Sequence, residues 1–275
     1  MSKIISKTPL IDWEKEFPKH WNAGNSATTH IFNAMSLMFP QGERFFIKAA
    51  KEISKQKDLI LSAALKKDLK GFLLQETAHA KHHQQYNDIL EKQGYINVAY
   101  NLIERLEKLS YKYLSSIQRL ALVCAYEHYT AILGHFLLKN PEVLNSAPHS
   151  MSLMWGWHAA EETEHKAVCF DLYQAAGGST VSRILSFFVV SLEFLLIFTR
   201  LYFSLLWKDG SFRLTKLPKT LWQATCFFWG KKGVAWYLLF YGFQYLKPNF
   251  HPWELNNKTL LSAWVLRNDK WLRNI

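Results

Sequence analysis

Residues 76–83 read ETAHAKHH, and residues 158–165 read HAAEETEH. Each stretch sets a glutamate three residues before a histidine: Glu76 before His79, and Glu162 before His165. On an α-helix, positions three and four apart share a face, so each stretch aims a carboxylate and an imidazole at a common point. Each also holds a further histidine one turn away, His83 beyond His79 and His158 before Glu162. One such pair is ordinary on a solvated helix face. Two of them, in separate segments, predict helices whose polar side chains converge.

Two more acids belong with these by context. Glu43 sits in GERFF (residues 42–46), and Glu127 sits in ALVCAYEHYTAILGHF (residues 121–136), where the flanks are too apolar for a solvated helix. A carboxylate buried alone tends to protonate, and four together repel one another. Divalent cations remove both problems, and neutral imidazoles complete their coordination. The set Glu43, Glu76, His79, Glu127, His158, Glu162 and His165 therefore predicts two divalent metal ions. An oxygen–nitrogen ligand set suits iron, the preferred ion, and also manganese or zinc. One Glu from each of two helices, with Glu-x-x-His from each of the other two, is the inward-facing pattern of ferritin-like bundles. Helix geometry alone does not choose between Glu161 and Glu162. Glu162 is preferred as ligand because it repeats the spacing to histidine, which leaves Glu161, with His83, for catalytic or proton-transfer roles. Glu164 falls off the arc and is expected in solvent. His82, His128 and His135 are expected to be ordinary polar or capping residues.

The chain of 275 residues is 49% hydrophobic and 15% aromatic, with only 12 Gly and 8 Pro, which favours long helices over turn-rich β structure. The expected architecture is all-α: a ferritin-like four-helix bundle with a hydrophobic, aromatic-rich helical extension. Residues 1–25 read as an irregular lead-in, 26–180 as the di-metal bundle and 181–275 as the extension. Within the bundle, a helix from Ser26 is expected to stop at Pro40 and a second to begin near Gly42. Others are expected from about Asp58 to Gln93, over residues 98–109, from Ser115 to Lys139, and from Ser150 to Ala176.

Ile184–Trp207 is apolar apart from Glu193 and Arg200, and is long enough to span a bilayer, although two charges at that depth are costly. Tryptophan, tyrosine and phenylalanine beside lysine in the remainder suit a membrane interface. The formal net charge of +11 fits an anionic surface, and no motif points to nucleic acid. The start lacks an apolar signal region, and Cys124, Cys169 and Cys226 form no CxxC, so a cytoplasmic protein at the inner face of the cytoplasmic membrane is expected.

At the same residues the sequence resembles a bacterial family described as predicted metal-dependent hydrolases. The resemblance is carried by GERFF, QETAHAKHH, YEHYTAIL and WHAAEETEHKAVCFDLY, in that order, closely over about residues 28–180. It implies that Glu43, Glu76, His79, His83, Glu127, His158, Glu162 and His165 are site residues, with Glu161 matching the paired glutamates. The ligand order also resembles that of non-haem di-iron arylamine N-oxygenases, which carry the extra histidine.

The reading favoured from sequence is a di-iron enzyme that uses dioxygen to oxidise a small apolar, aromatic or lipid-like substrate. Hydrolysis of an ester or phosphoester, with His83 or Glu161 as general base, is the alternative. Metal binding without catalysis is the third. A homodimer is a further expectation.

Overall fold

The computed structural model describes residues 4–275. Helices α1 (Ser26–Ser54), α2 (Ala63–Lys92), α4 (Ser116–Lys139) and α5 (His149–His165) form the bundle, with α3 (Tyr100–Tyr113) beside α1 and α4 and the short α6 (Val168–Ala175) continuing beyond α5. Helices α7 (Thr180–Lys208), α8 (Leu217–Trp229), α9 (Val234–Gly242) and α10 (Lys258–Asn268) follow. Among the described residues the architecture is all-α, apart from one antiparallel pair, β1 (Lys7–Pro9) with β2 (Leu272–Asn274). β1 lies in what the sequence showed as an irregular lead-in and β2 in what it showed as a helical extension, because a three-residue strand leaves no periodic signal.

The core is in two parts, and the difference between them places the site. One apolar cluster takes Phe32 and Phe39 from α1, Tyr86 and Ile89 from α2, Phe136 from α4 and Trp155 from α5. The other takes Phe45 and Phe46 from α1, Phe72 from α2, Leu120 and Val123 from α4, and Phe170 from α6. Along α1, α2 and α4, Glu43, Glu76 with His79, and Glu127 fall between the segments that feed these clusters, and His158, Glu162 and His165 fall between Trp155 on α5 and Phe170 on α6. The polar layer is thus held between two dry ones, each fully buried large side chain contributing about 1.5–3 kcal/mol.

Helix α1 does not stop at Pro40; it runs through, with Pro40 inside. An interior proline withdraws the N–H that would bond the carbonyl one turn back and pushes that carbonyl out of line. Here the freed Ser36 carbonyl accepts from Asn87 Nδ2 at 2.9 Å, and the neighbouring Leu37 carbonyl accepts from Asn97 Nδ2 at 2.7 Å. Side-chain amides from α2 and the loop after it replace what the proline removes. Helix α2 begins later than expected, because Ser62, in extended conformation, caps it by accepting from Leu65 N. The helix expected over 150–176 is broken at Lys166–Ala167. Lys166 is buried there against the Leu255 carbonyl and Asn257 Oδ1, with Nζ 4.3 Å from the Trp253 ring.

Among the described residues α7 is the one helix long and apolar enough to cross a membrane. One side of it packs along the bundle, with Phe187, Val190, Ile197, Leu201 and Leu205 buried and contacts to α1 and α4. The two charges within Ile184–Trp207 find partners: Glu193 accepts from Tyr126 Oη at 2.6 Å, and Arg200 Nε donates to the Val98 carbonyl at 3.1 Å. The lead-in is tied down too, with Trp13 Nε1 donating to His82 and His20 meeting Asp209 at the end of α7.

Helices α4 and α5 approach so closely that a Cβ added at Gly134 would lie 2.8 Å from the Ala159 carbonyl oxygen and 3.4 Å from Glu162 Cβ. This contact sets the spacing between the rods that bear Glu127 and Glu162. Gly134→Ala is expected to lower stability in urea denaturation by about 1–3 kcal/mol through overpacking. Metal analysis of the same variant is expected to show weaker retention, because the two rods move apart.

Candidate metal centre

The structure brings Glu43 from α1, Glu76 and His79 from α2, Glu127 from α4, and His158, Glu162 and His165 from α5 into one buried layer. Four sets of potential ligand atoms lie within 4.8 Å of one another: Glu43–Glu76–His79, Glu76–Glu127–His165, His79–His158–Glu162 and Glu43–His83–His158. Glu76 belongs to two of them, its Oε1 lying 3.6 Å from His79 Nδ1 and 3.2 Å from His165 Nε2. Glu162 divides its two oxygens: Oε1 lies 3.0 Å from His158 Nε2 and 3.6 Å from His79 Nδ1, while Oε2 lies 3.4 Å from His165 Nε2. Glu76 and Glu162 thus each approach donors from two groups, one of Glu43, His79 and His158, the other of Glu127 and His165.

Both carboxylate oxygens of Glu43, Glu76 and Glu127, together with His79 Nδ1 and His165 Nε2, are buried without a hydrogen-bond partner among the described residues. The 3.2 Å approach of His165 Nε2 to Glu76 Oε1 lacks hydrogen-bond geometry. Buried polar groups are nearly always satisfied, so a cluster of acceptor oxygens and imidazole nitrogens left open toward one centre fits bound cations. Burial, and then the neighbouring Glu76, push the Glu43 carboxyl well above its ordinary range; burial and then Glu162 do the same to Glu127. Burial also raises Glu76. Burial acts to raise Glu162 as well, but His165 and His158 outweigh it and hold it well below the usual value. A layer that must protonate some of its carboxylates to stay neutral will exchange those protons for metal.

The imidazoles are presented in the tautomers that metal binding needs. His165 Nδ1 is bonded to Gln75 Oε1 at 2.9 Å, which leaves Nε2 facing the centre. His79 turns Nε2 to Glu161 at 3.1 Å and Nδ1 inward. For His158 the orientation is set from a distance. The Pro40-freed Ser36 carbonyl takes the Asn87 amide N–H, so Asn87 Oδ1 accepts from Ser36 Oγ at 2.8 Å. Ser36 Oγ then accepts from His83 Nδ1 at 2.9 Å, and His83 Nε2 accepts from His158 Nδ1 at 2.7 Å. His158 Nε2 is left with its lone pair toward Glu162. Burial and then the neighbouring His158 keep His83 neutral, its pKa pushed well down; burial and then His79 bring His158 to about 4.

Glu161 stands behind His79, remote from Glu76 and Glu162, and accepts from Lys7 N at 3.0 Å. It acts as an anchor that orients the His79 ring, in the manner of carboxylate–histidine–metal arrangements. Glu164, expected in solvent, is half-buried and accepts from Gln75 Nε2 at 2.7 Å; burial raises its pKa to about 6. It was misplaced because its partner comes from another helix. Sequence reasoning also missed Gln75, Ser36, Asn87 and Thr130. Thr130 Oγ1 donates to Glu162 Oε2; lying three residues after Glu127, it was within reach of the same spacing argument. The other three are defined by long-range pairing and leave no local signal. Of the remaining histidines, His82 bonds Thr8 and Trp13, and His128 bonds the Tyr241 carbonyl, while His135 is buried with both ring nitrogens unpartnered among the described residues.

Fold and site together define an all-α bundle with a buried carboxylate–imidazole centre fit for metal. The chain belongs to the family described as predicted metal-dependent hydrolase, whose model matches residues 6–256. The match reaches beyond the four motif segments at both ends, taking in β1 and helices α7 to α9. No curated protein and no solved structure matches the chain.

Gln75→Leu keeps every carboxylate and imidazole of the centre but removes the acceptor that fixes His165. It is expected to weaken metal binding about 10- to 100-fold, read by competition with a chromogenic chelator.

Proposed function

We propose that the chain is a di-metal enzyme acting on an apolar carboxylic ester or amide. Glu43, Glu76, Glu127, Glu162, His79, His158 and His165 would hold two divalent cations, with Glu76 and Glu162 shared. The observation that carries this reading is the set of unpartnered Glu43, Glu76 and Glu127 oxygens around one centre. Bound there, the ions would supply Lewis acidity, polarising a carbonyl and making water nucleophilic near neutral pH. Hydrolysis is placed first because it is the chemistry named for the family.

The chain's own residues supply the rest. A chamber of about 90 Å³ reaches Glu43 and Glu162 between α1, α3, α4 and α7, walled by Met38, Phe39, Phe46, Phe194 and Ile197. Among its described lining residues there is no lysine or arginine, and its largely apolar walls suit an acyl or aryl group better than a phosphate. Besides Glu43 and Glu162, its polar points are Gln41, Glu107, Ser110, Thr130 and the Tyr126–Glu193 pair. His83 leads through Ser36 to Asn87, which lines a surface groove of about 330 Å³. In this reading His83 would pass a proton between the centre and water.

Oxidation of the same kind of substrate with dioxygen is the second reading. It is favoured by the carbon walls next to Glu43 and Glu162 and by an N/O ligand set that suits iron.

Glu76→Ala removes the carboxylate common to both positions, and elemental analysis is expected to show loss of most bound metal. Zinc- or manganese-loaded wild type is expected to cleave aryl esters of medium-chain acids without oxygen, and Glu76→Ala to lose at least about 100-fold in that rate. Activity confined to iron-loaded, reduced protein that consumes oxygen would instead select oxidation. Retention of metal by Glu76→Ala would remove the proposed centre.

A further inference from the structure

We infer that the outer face of α7, α8 and α9 docks on an anionic lipid bilayer, and that a cavity opening on this face takes up a lipid acyl chain. The acyl-chain part names the substrate class for the reading above and rests on it; the docking does not.

The face is apolar to a degree that a solvated surface is not. Along α7, Leu185, Phe188, Leu192, Leu195 and Leu196 recur every three or four residues and are each more than half exposed. Trp222 on α8 is 69% exposed and Phe240 on α9 is 67% exposed. Contiguous apolar surface of this kind marks a contact with another phase or partner, and tryptophan at such an edge suits the bilayer interface.

Charge selects the partner. Between Thr180 and Lys247, every exposed charged residue is basic, including Lys208, Arg213, Lys216, Lys219 and Lys231. The two acids of this span are turned inward, Glu193 onto Tyr126 and Asp209 onto His20 and Tyr95. A second copy of the chain would bring like charges together around the apolar face. A bilayer bearing anionic headgroups neutralises them while accepting the aromatic and aliphatic side chains.

Beneath the face lies a cavity of about 550 Å³ between α1, α4, α7, α8 and α9, within the range of small-molecule sites. Leu195, Phe203, Leu221 and Trp229 line it and are also exposed, so its mouth lies on the same surface. Its inner end reaches Phe194, whose ring also walls the chamber at Glu43 and Glu162. A chain entering from the bilayer therefore meets a largely apolar lining as far as Phe194, which also borders the chamber that Glu43 and Glu162 line.

The test uses full-length, metal-loaded protein in two assays that need no turnover. Flotation with vesicles of phosphatidylglycerol and phosphatidylethanolamine is expected to carry the protein, and alkaline carbonate to release it. Lys216→Glu with Lys219→Glu is expected to weaken uptake at least about 30-fold, roughly fivefold per basic residue removed. Trp222→Ser with Phe240→Ser is expected to weaken it about 10- to 100-fold. Both pairs are on the surface, and unchanged metal content shows that they fold. In the second assay, cis-parinaric acid fluorescence is expected to report binding to wild type and to both surface variants, and to be lost in Ala224→Trp, which fills the cavity but keeps vesicle uptake. Uptake indifferent to both surface pairs, or a stable dimer in detergent-free buffer with no uptake, would overturn the docking. Unaltered probe binding by Ala224→Trp would overturn the acyl pocket. Failure of ester hydrolysis alone leaves both readouts standing.

Discussion

Four carboxylates, one from each rod of a bundle, meet where water does not reach. Taking a single carboxylate from water into a low-dielectric interior costs several kcal/mol even after relaxation, and like charges side by side add to it. Three of the four answer by holding protons more tightly than usual, and only Glu162, flanked by His158 and His165, is held ionised. The rest of the architecture follows from this. Apolar clusters on both sides of the layer keep the rods together against the repulsion. Hydrogen bonds placed behind the imidazoles fix which nitrogen faces inward. Such a layer is a poor choice for stability alone, since well-packed carbon of the same volume does better; its presence is the physical argument for cations.

What could be read from the chain before the fold was known divides by range. Glu76 with His79, and Glu162 with His165, are legible because helical spacing alone puts them on one face, and the apolar flanks of Glu127 mark it as buried. The preference of Glu162 over Glu161 came from the same spacing, but the role of Glu161 did not. Its contacts are His79 on another helix and the Lys7 backbone, far away in sequence. Pro40 misled because the penalty for an interior proline is local, while its relief comes from Asn87 and Asn97. Likewise, nothing around Lys166 tells that residues 253–257 will bury it and that the helix will break there. Short-range periodicity gave the rods and the charges they carry. The hydrogen bonds that orient those charges are set by the packing of one rod on another.

The proline is more than a tolerated defect. It displaces one carbonyl, that carbonyl fixes one amide, and the amide decides the donor direction of Ser36, then His83, then His158. A backbone irregularity on α1 thus determines the lone pair offered by α5. The chamber lies on the other side of the same α1 segment, where Met38, Phe39, Phe45 and Phe46 supply its walls. One helix thereby carries both the support of the centre and the boundary that keeps water from it.

The strand Lys7–Pro9 is held by Leu272–Asn274, and its Lys7 N–H is what Glu161 grips while it steadies His79. The same strand is bonded directly to the bundle, with Trp157 Nε1 donating to the Lys7 carbonyl and Thr8 Oγ1 meeting His82. The aim of one imidazole ring in the layer is thus coupled to main-chain pairing between segments far apart in the sequence, so a change at residues 272–274 can be felt at His79 without touching any helix.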